Sequence, residues 1–186
     1  FQEGSGTWRA IDNGKTSGHN AATGASERIH TTSVEAGYAI YQKFTEVMEY
    51  FFGKEVSWNF RISTKDIKRA YRQLAPQDSQ IHLSIVMIWS METDEWRFGI
   101  LHGLAFGLSG AVLQFNRHPG LIVAIARRLL AIPVISFFDG FKSTELCSGK
   151  DSAAFYVDKL SERLGWIFDL DKDITGDDAT FLGTVE

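Results

Sequence analysis

The chain is short of several things, and each shortage closes off a class of protein. It has one cysteine, Cys147, so an internal disulfide framework is excluded and a reducing, intracellular compartment (cytoplasmic or nuclear) is expected. It has no run of about 18 apolar residues and no cationic apolar leader, so neither a membrane span nor a signal peptide is expected. It has no excess of positive charge: 19 Lys and Arg stand against 23 Asp and Glu, a net charge of −4. A stand-alone nucleic-acid binder is usually basic, so any such binding must come from local clusters. Two exist, Lys65, Lys68, Arg69 and Arg72, and Arg117, His118, Arg127 and Arg128; the plainer reading of each is a solvated helix face. There is no internal repeat and no low-complexity tract. The first residue is Phe1 rather than Met, and the expectation is a piece of something longer.

What is present suffices for one domain or a large part of one: 186 residues, 44% of them hydrophobic. Residues 1–32 are polar and loop-like, with a short strand at Thr7–Ile11 and an extended loop over Lys15–Asn20. Ser33 is placed to cap a helix over 33–52, whose Ile40, Phe44, Val47, Met48 and Phe51 form one apolar stripe read as core. Residues 58–66 alternate as a half-buried strand, and Ile67–Leu74 turns helical for about two turns. Ile81–Trp89 and Trp96–Leu104 read as a hairpin around Met91–Asp94, with His82 and His102 inside the strands as structural residues. A helix follows from Ala111 to about Ala131, with a bend near Pro119. Then come a hairpin at 134–144, a helix from Ser152 to Leu164 stopped by Gly165, a strand at Trp166–Leu170 and a short strand at Phe181–Val185. This order predicts an α+β fold, an antiparallel sheet with helices packed on one face.

Two aspartates hold the chemical interest. Asp139 sits in the apolar run Val134-Ile-Ser-Phe-Phe-Asp-Gly-Phe-Lys142, and Asp66 ends Trp58-Asn-Phe-Arg-Ile-Ser-Thr-Lys-Asp66. The plain reading of Asp139-Gly140 is a type I′ turn in which Gly140 supplies φ > 0. The other reading is that two strand-borne carboxylates meet on neighbouring strands and hold a divalent metal.

The ordered motifs resemble the fingers–palm core of reverse transcriptases, especially those of eukaryotic retroelements. Asp66-Ile-Lys-Arg-Ala-Tyr71 looks like the palm motif with a metal aspartate and an aromatic residue. Leu104-Ala-Phe-Gly-Leu-Ser-Gly-Ala111 with Phe115-Asn-Arg117 is similar to the segment over the nascent base pair. Phe137-Phe-Asp-Gly140 is similar to the Tyr-x-Asp-Asp hairpin, Leu164-Gly-Trp166 through Lys172 to the next palm motif, and Phe181-Leu-Gly183 to the start of the primer grip. Trp8-Arg-Ala-Ile-Asp12 is similar to a fingers strand. The resemblance implies partial fingers over 1–57, a ferredoxin-like palm over 58–186 and a thumb lying elsewhere.

It also implies RNA-directed DNA synthesis on an RNA/DNA template-primer with dNTP substrates, a retrotransposon origin, and two Mg²⁺ (or Mn²⁺) ions about 4 Å apart. Asp66, Asp139 and the Ile67 carbonyl would be metal ligands, and Lys172 the proton donor to pyrophosphate. Arg9 and Lys15 would bind triphosphate, Tyr71 would select deoxyribose, and Phe106 and Gly107 would pack on the incoming base pair. The remaining polymerase segments, thumb and possibly RNase H, would be partners in a parent polyprotein. Three positions depart from the pattern: Gly140 stands where the family has a second hairpin aspartate, Asn13 follows Asp12 in place of an acidic residue, and Ala105 replaces a Pro. A catalytically inactive, degenerate domain that keeps fold and nucleic-acid binding is therefore the alternative. An RNA-templated RNA polymerase and a non-polymerase binding module are further readings.

Overall fold

The computed structural model describes residues 13–24, 28–54, 58–182 and 184–185. In chain order the elements are α1 (His19–Ala22), α2 (Val34–Phe52), β1 (Phe60–Asp66), β2 (Ile85–Ser90), β3 (Glu95–Ile100), α3 (Ser109–Leu129), β4 (Val134–Phe137), β5 (Gly140–Leu146), α4 (Ser152–Arg163), β6 (Ile174–Gly176), β7 (Thr180–Phe181) and β8 (Thr184–Val185). They fall into two compact units. One takes residues 1–28 and 69–115; the other takes 29–68 and 116–186.

The second unit holds a four-stranded antiparallel sheet in the order β4-β5-β1-β6. Alternation puts Phe60, Ile62, Thr64 and Asp66 on one face of β1 and Arg61, Ser63 and Lys65 on the other. Helix α4 lies against the second face: Arg61 pairs with Asp151 just before it, Lys65 with Asp158 within it, and Ser152 Oγ donates to Glu145 on β5. From Asn116 onward α3 buries Ile122 and Ala126 completely, and Arg127 Nε donates to the Val134 carbonyl at 2.7 Å. The fold is α+β with helices packed on an antiparallel sheet, as the element order predicts.

Several local expectations need correction. β1 is buried along both faces rather than half-buried, and Lys65 is among its buried residues. The basic cluster around Asp66 is therefore not one solvated face. Ile67–Leu74 does not form two helical turns. Ile67 is bridged to Phe168 and Lys68 N donates to the Ile167 carbonyl, so these residues extend the sheet pairing. A single 3₁₀ turn, Ala70–Gln73, follows. Conversely, Trp166–Leu170 is no full strand; it contributes that one bridge. The stripe on α2 is only partly core: Met48 is buried, whereas Phe51 is 70% exposed, because the helix meets the sheet through Tyr41 and Phe44 on the Phe60 ring. Its N-cap is Ser33, whose hydroxyl holds the Glu35 carboxyl below the usual range.

In the first unit the 91–94 hairpin joins β2 to β3 as expected. His82 lies in a 3₁₀ turn (Asp78–Leu83) and His102 in the bend after β3, not within strands. Lys15–Asn20 is not extended: a turn leads to Gly18, at φ 79, and into α1. Helix α3 runs on through Pro119, whose ring is fully buried.

Candidate functional site

Three backbone contacts place the two aspartates. Residue Asp66 is the register partner of Gly140, which puts Asp139 beside the end of β1. The Ile67 amide donates to the Asp139 carbonyl at 2.8 Å, and the Asp169 amide donates to the Asp66 carbonyl at 2.8 Å. Segments far apart in sequence are thus tied to one point. The third segment arrives because α4 ends in a Schellman closure. Gly165, at φ 83, donates to the Glu162 carbonyl and Trp166 N to that of Ser161, which turns the chain back toward Phe168.

The result is a cleft of about 300 Å³ lined by Thr64, Asp66, Asp139, Gly140, Lys172 and Phe181, among others. Lys172 stands in a 3₁₀ turn (Leu170–Lys172), and its Nζ is 2.5 Å from Asp66 Oδ2. One residue before Asp66 and one residue after Lys172 a second pair forms. Lys65 Nζ donates to Asp173 Oδ2 at 2.7 Å and to Asp158 Oδ2 at 2.9 Å. Burial works to lower the Lys65 pKa, but its hydrogen bonds to the Asp173 and Asp158 carboxylates outweigh it and the net shift is upward.

The hairpin carrying Asp139 is not built as the Asp-Gly signal suggests. Its central residues are Phe138 and Asp139, with Phe137 paired to Gly140. The positive φ falls on Phe138, at 50°, a costly conformation for a bulky residue. Gly140 is the first residue of β5, outside the left-handed region. A Cβ built there meets Asp66 Oδ1 at 3.4 Å, Phe137 O at 3.5 Å and the Phe181 ring at 3.6 Å, all ordinary contacts. A side chain at 140 fits, and a carboxylate there stands beside Asp66.

Among the described residues no group of three or more His, Cys, Asp or Glu side chains converges to hold a metal. The carboxylates that line the cleft are Asp66 and Asp139; Ile67 is buried and is not among the lining residues. Mg²⁺ is commonly held by one or two carboxylates together with substrate phosphates and water. These residues fit an ion that arrives with phosphate.

The aromatic residues singled out by sequence lie in the first unit. The Tyr71 ring is 5.4 Å from Phe106 and 4.8 Å from Phe115, which is fully buried. Gly107 takes φ 114, a conformation that favours glycine. Asn20 organises this loop: its Nδ2 donates to the Gly107 carbonyl at 3.0 Å, and its Oδ1 accepts from Ser109 N at 2.9 Å, capping α3. Nothing in the sequence marks Asn20, because it acts across 87 residues. Lys15 lies in the turn before α1, and Arg9 lies outside the described residues. Of the second basic cluster, Arg127 is bonded to the Val134 carbonyl. His118 packs against Trp166 with tilted rings 5.0 Å apart, its pKa lowered by burial and then by Arg117.

Among solved structures, a foamy viral protease–reverse transcriptase, determined in complex with double-stranded DNA, superposes with a TM-score of 0.54 and 18% identity. The match covers 70% of this chain and 21% of that one, so this chain spans about a fifth of its length. No protein-family model and no curated protein matches. At that identity the likeness shows the fold, a reverse-transcriptase-like palm. No helix among the described residues is long and apolar enough to cross a membrane.

Proposed function

We propose that the chain is the palm region of an RNA-directed DNA polymerase, acting on an RNA/DNA template-primer with dNTPs. The observation that carries the reading is the meeting of Asp66 and Asp139 in one cleft through the β1–β5 register and the Ile67–Asp139 backbone bond. Phosphoryl transfer needs positioning and charge neutralisation more than covalent chemistry. Two Mg²⁺ or Mn²⁺ ions supply that neutralisation and activate the primer hydroxyl when bound. Asp66 and Asp139 would hold such ions by carboxylate oxygens, with the Ile67 carbonyl as a further ligand. Lys172 donates a proton to the leaving diphosphate. Lys15 and Arg9 bind triphosphate, Tyr71 bars a 2′-hydroxyl, and Phe106 and Gly107 form the surface for the base pair. Palm over 58–186 and partial fingers over 1–57 is the domain division that goes with this reading; thumb and RNase H segments are its partners.

The test is Mn²⁺ titration of the chain and of Asp66→Asn by calorimetry, followed by primer extension with a thumb supplied. Binding lost in Asp66→Asn supports the two-carboxylate site; equal binding in both proteins would falsify it. A second reading, an inactive relic of such a polymerase, is favoured by Gly140, where the cleft lacks a carboxylate it has room for. Extension seen only in Gly140→Asp supports the relic.

A further inference from the structure

Two Lys-Asp dipeptides face each other in reversed order at the cleft. Lys65-Asp66 ends β1, and Lys172-Asp173 precedes β6, so Lys65 pairs with Asp173 while Lys172 pairs with Asp66. The two pairs differ in burial. The Lys65 and Asp173 side chains are 7% and 23% exposed, whereas those of Lys172 and Asp66 are 49% and 32% exposed. Lys65 is buried and held by Asp158 as well as Asp173, so the first pair parts only by withdrawing a carboxylate from a buried cation. A pair open to water is worth little and exchanges readily.

We propose that Lys172 is a built-in counter-cation for Asp66, occupying Oδ2 until a divalent ion displaces it, with the buried Lys65–Asp173 pair keeping the displaced lysine tethered at the cleft. The inference rests on the two-carboxylate reading above and adds to it an order of events. Asp66 and Asp139 both line the cleft, and the Lys172 ammonium is set against Asp66. A divalent ion meets a reduced negative charge and competes with the Lys172 ammonium for Asp66 Oδ2. The released ammonium stays close, because Asp173 is fixed one residue away and Ile174 pairs with Thr64. Ion entry and delivery of Lys172 toward an arriving phosphate are then one exchange. The position of Gly140 strengthens the effect, since no second hairpin carboxylate competes for the lysine.

The experiment is Mn²⁺ binding to the 186-residue chain in phosphate-free buffer, by calorimetry and electron spin resonance. It compares wild type, Lys172→Met, Lys172→Arg and Asp66→Asn, each checked for folding by circular dichroism. The expected result is binding about three- to tenfold tighter in Lys172→Met, from loss of the competing charge at short range. Lys172→Arg should bind like wild type, and Asp66→Asn should lose the site. Equal affinity in Lys172→Met and wild type, with Asp66→Asn still abolishing binding, overturns the counter-cation and leaves the two-carboxylate reading standing. Absence of Mn²⁺ binding in both wild type and Lys172→Met overturns both.

Discussion

The strand pair β1–β5 and the hairpin β2–β3 are both antiparallel, and they reverse what their compositions suggest. β1 reads Phe-Arg-Ile-Ser-Thr-Lys-Asp, more polar than apolar, yet it is buried on both faces. β2 and β3 carry Ile85, Met87, Ile88, Trp89, Trp96, Phe98 and Ile100, and all of these are exposed. Burial here is decided by neighbours. β1 lies between β5 and β6 with α4 against one face, so its polar side chains are satisfied inside the fold by Asp158, Asp173 and Thr175. Among the described residues β2 pairs with β3 alone, in a two-stranded sheet. Asp66 ends this doubly buried strand, and Asp139, in the β4–β5 turn, is tied to it through the Ile67 amide.

That contrast gives the largest expected effect. Phe141 on β5 is 1% exposed and packs on Phe168 at 5.5 Å, whereas Phe98 on β3 is 70% exposed. Phe141→Ala should cost about 3–5 kcal/mol in urea unfolding, from lost burial plus a cavity. Phe98→Ala should cost less than about 1 kcal/mol. Similar costs for the two would break the comparison.

Next is the charged core of the same strand. Lys65→Met leaves the Asp158 and Asp173 carboxylates together without their cation, and Oδ1 of each is already buried without a hydrogen-bond partner. A loss of about 3 kcal/mol is expected by denaturant titration, reduced somewhat because Asp158 is partly open to water. The pH sign follows from the raised pKa. The stabilisation is complete below the unfolded lysine value near 10.5 and fades as pH rises through the higher folded value. An unchanged urea midpoint in Lys65→Met would mean that the cluster contributes nothing.

The same contrast explains what was legible beforehand. The α+β class, the 134–144 hairpin, the α4 span with its Gly165 stop and the placement of Asp66 at a strand end all follow from local patterns: alternation, helical spacing and a glycine with φ > 0. The meeting of Asp66 with Asp139 was readable only through the order of motifs, since no local pattern states which strands pair. What stayed hidden is long-range. Lys65 looks like a solvent-facing residue of a half-buried strand until α4 supplies Asp158. Phe138 bears the turn strain that Asp-Gly advertises for its neighbour. Asn20 reads as loop although it caps a helix 89 residues away. The Asp66–Lys172 pair, separated by 106 residues, belongs to the same class.

In the unit that holds β2 and β3, Asn20 ties the Gly107 loop beside the aromatic cluster to the start of α3. Asn20→Ala removes both the Gly107 tie and the α3 cap, and a loss of about 1 kcal/mol is expected. Hydrogen exchange should show it first at the Ser109 amide. Retained protection there would mean that water replaces the cap without cost.

The smallest effect concerns the sheet-bearing unit again, through His118 on Trp166. Its folded pKa lies below the ordinary 6.5, because burial and then Arg117 disfavour the imidazolium. The unfolded chain therefore binds the proton more readily. The contribution is present above pH 6.5 and is lost as pH falls through the folded value. Wild type should lose urea resistance between pH 7 and 5 more steeply than His118→Phe, which keeps a ring against Trp166 but cannot titrate. Carboxylates shared by both proteins cancel in the difference. Parallel curves for the two would show that His118 is as open to water as any surface histidine, and that the sheet unit's exclusion of water ends at Trp166.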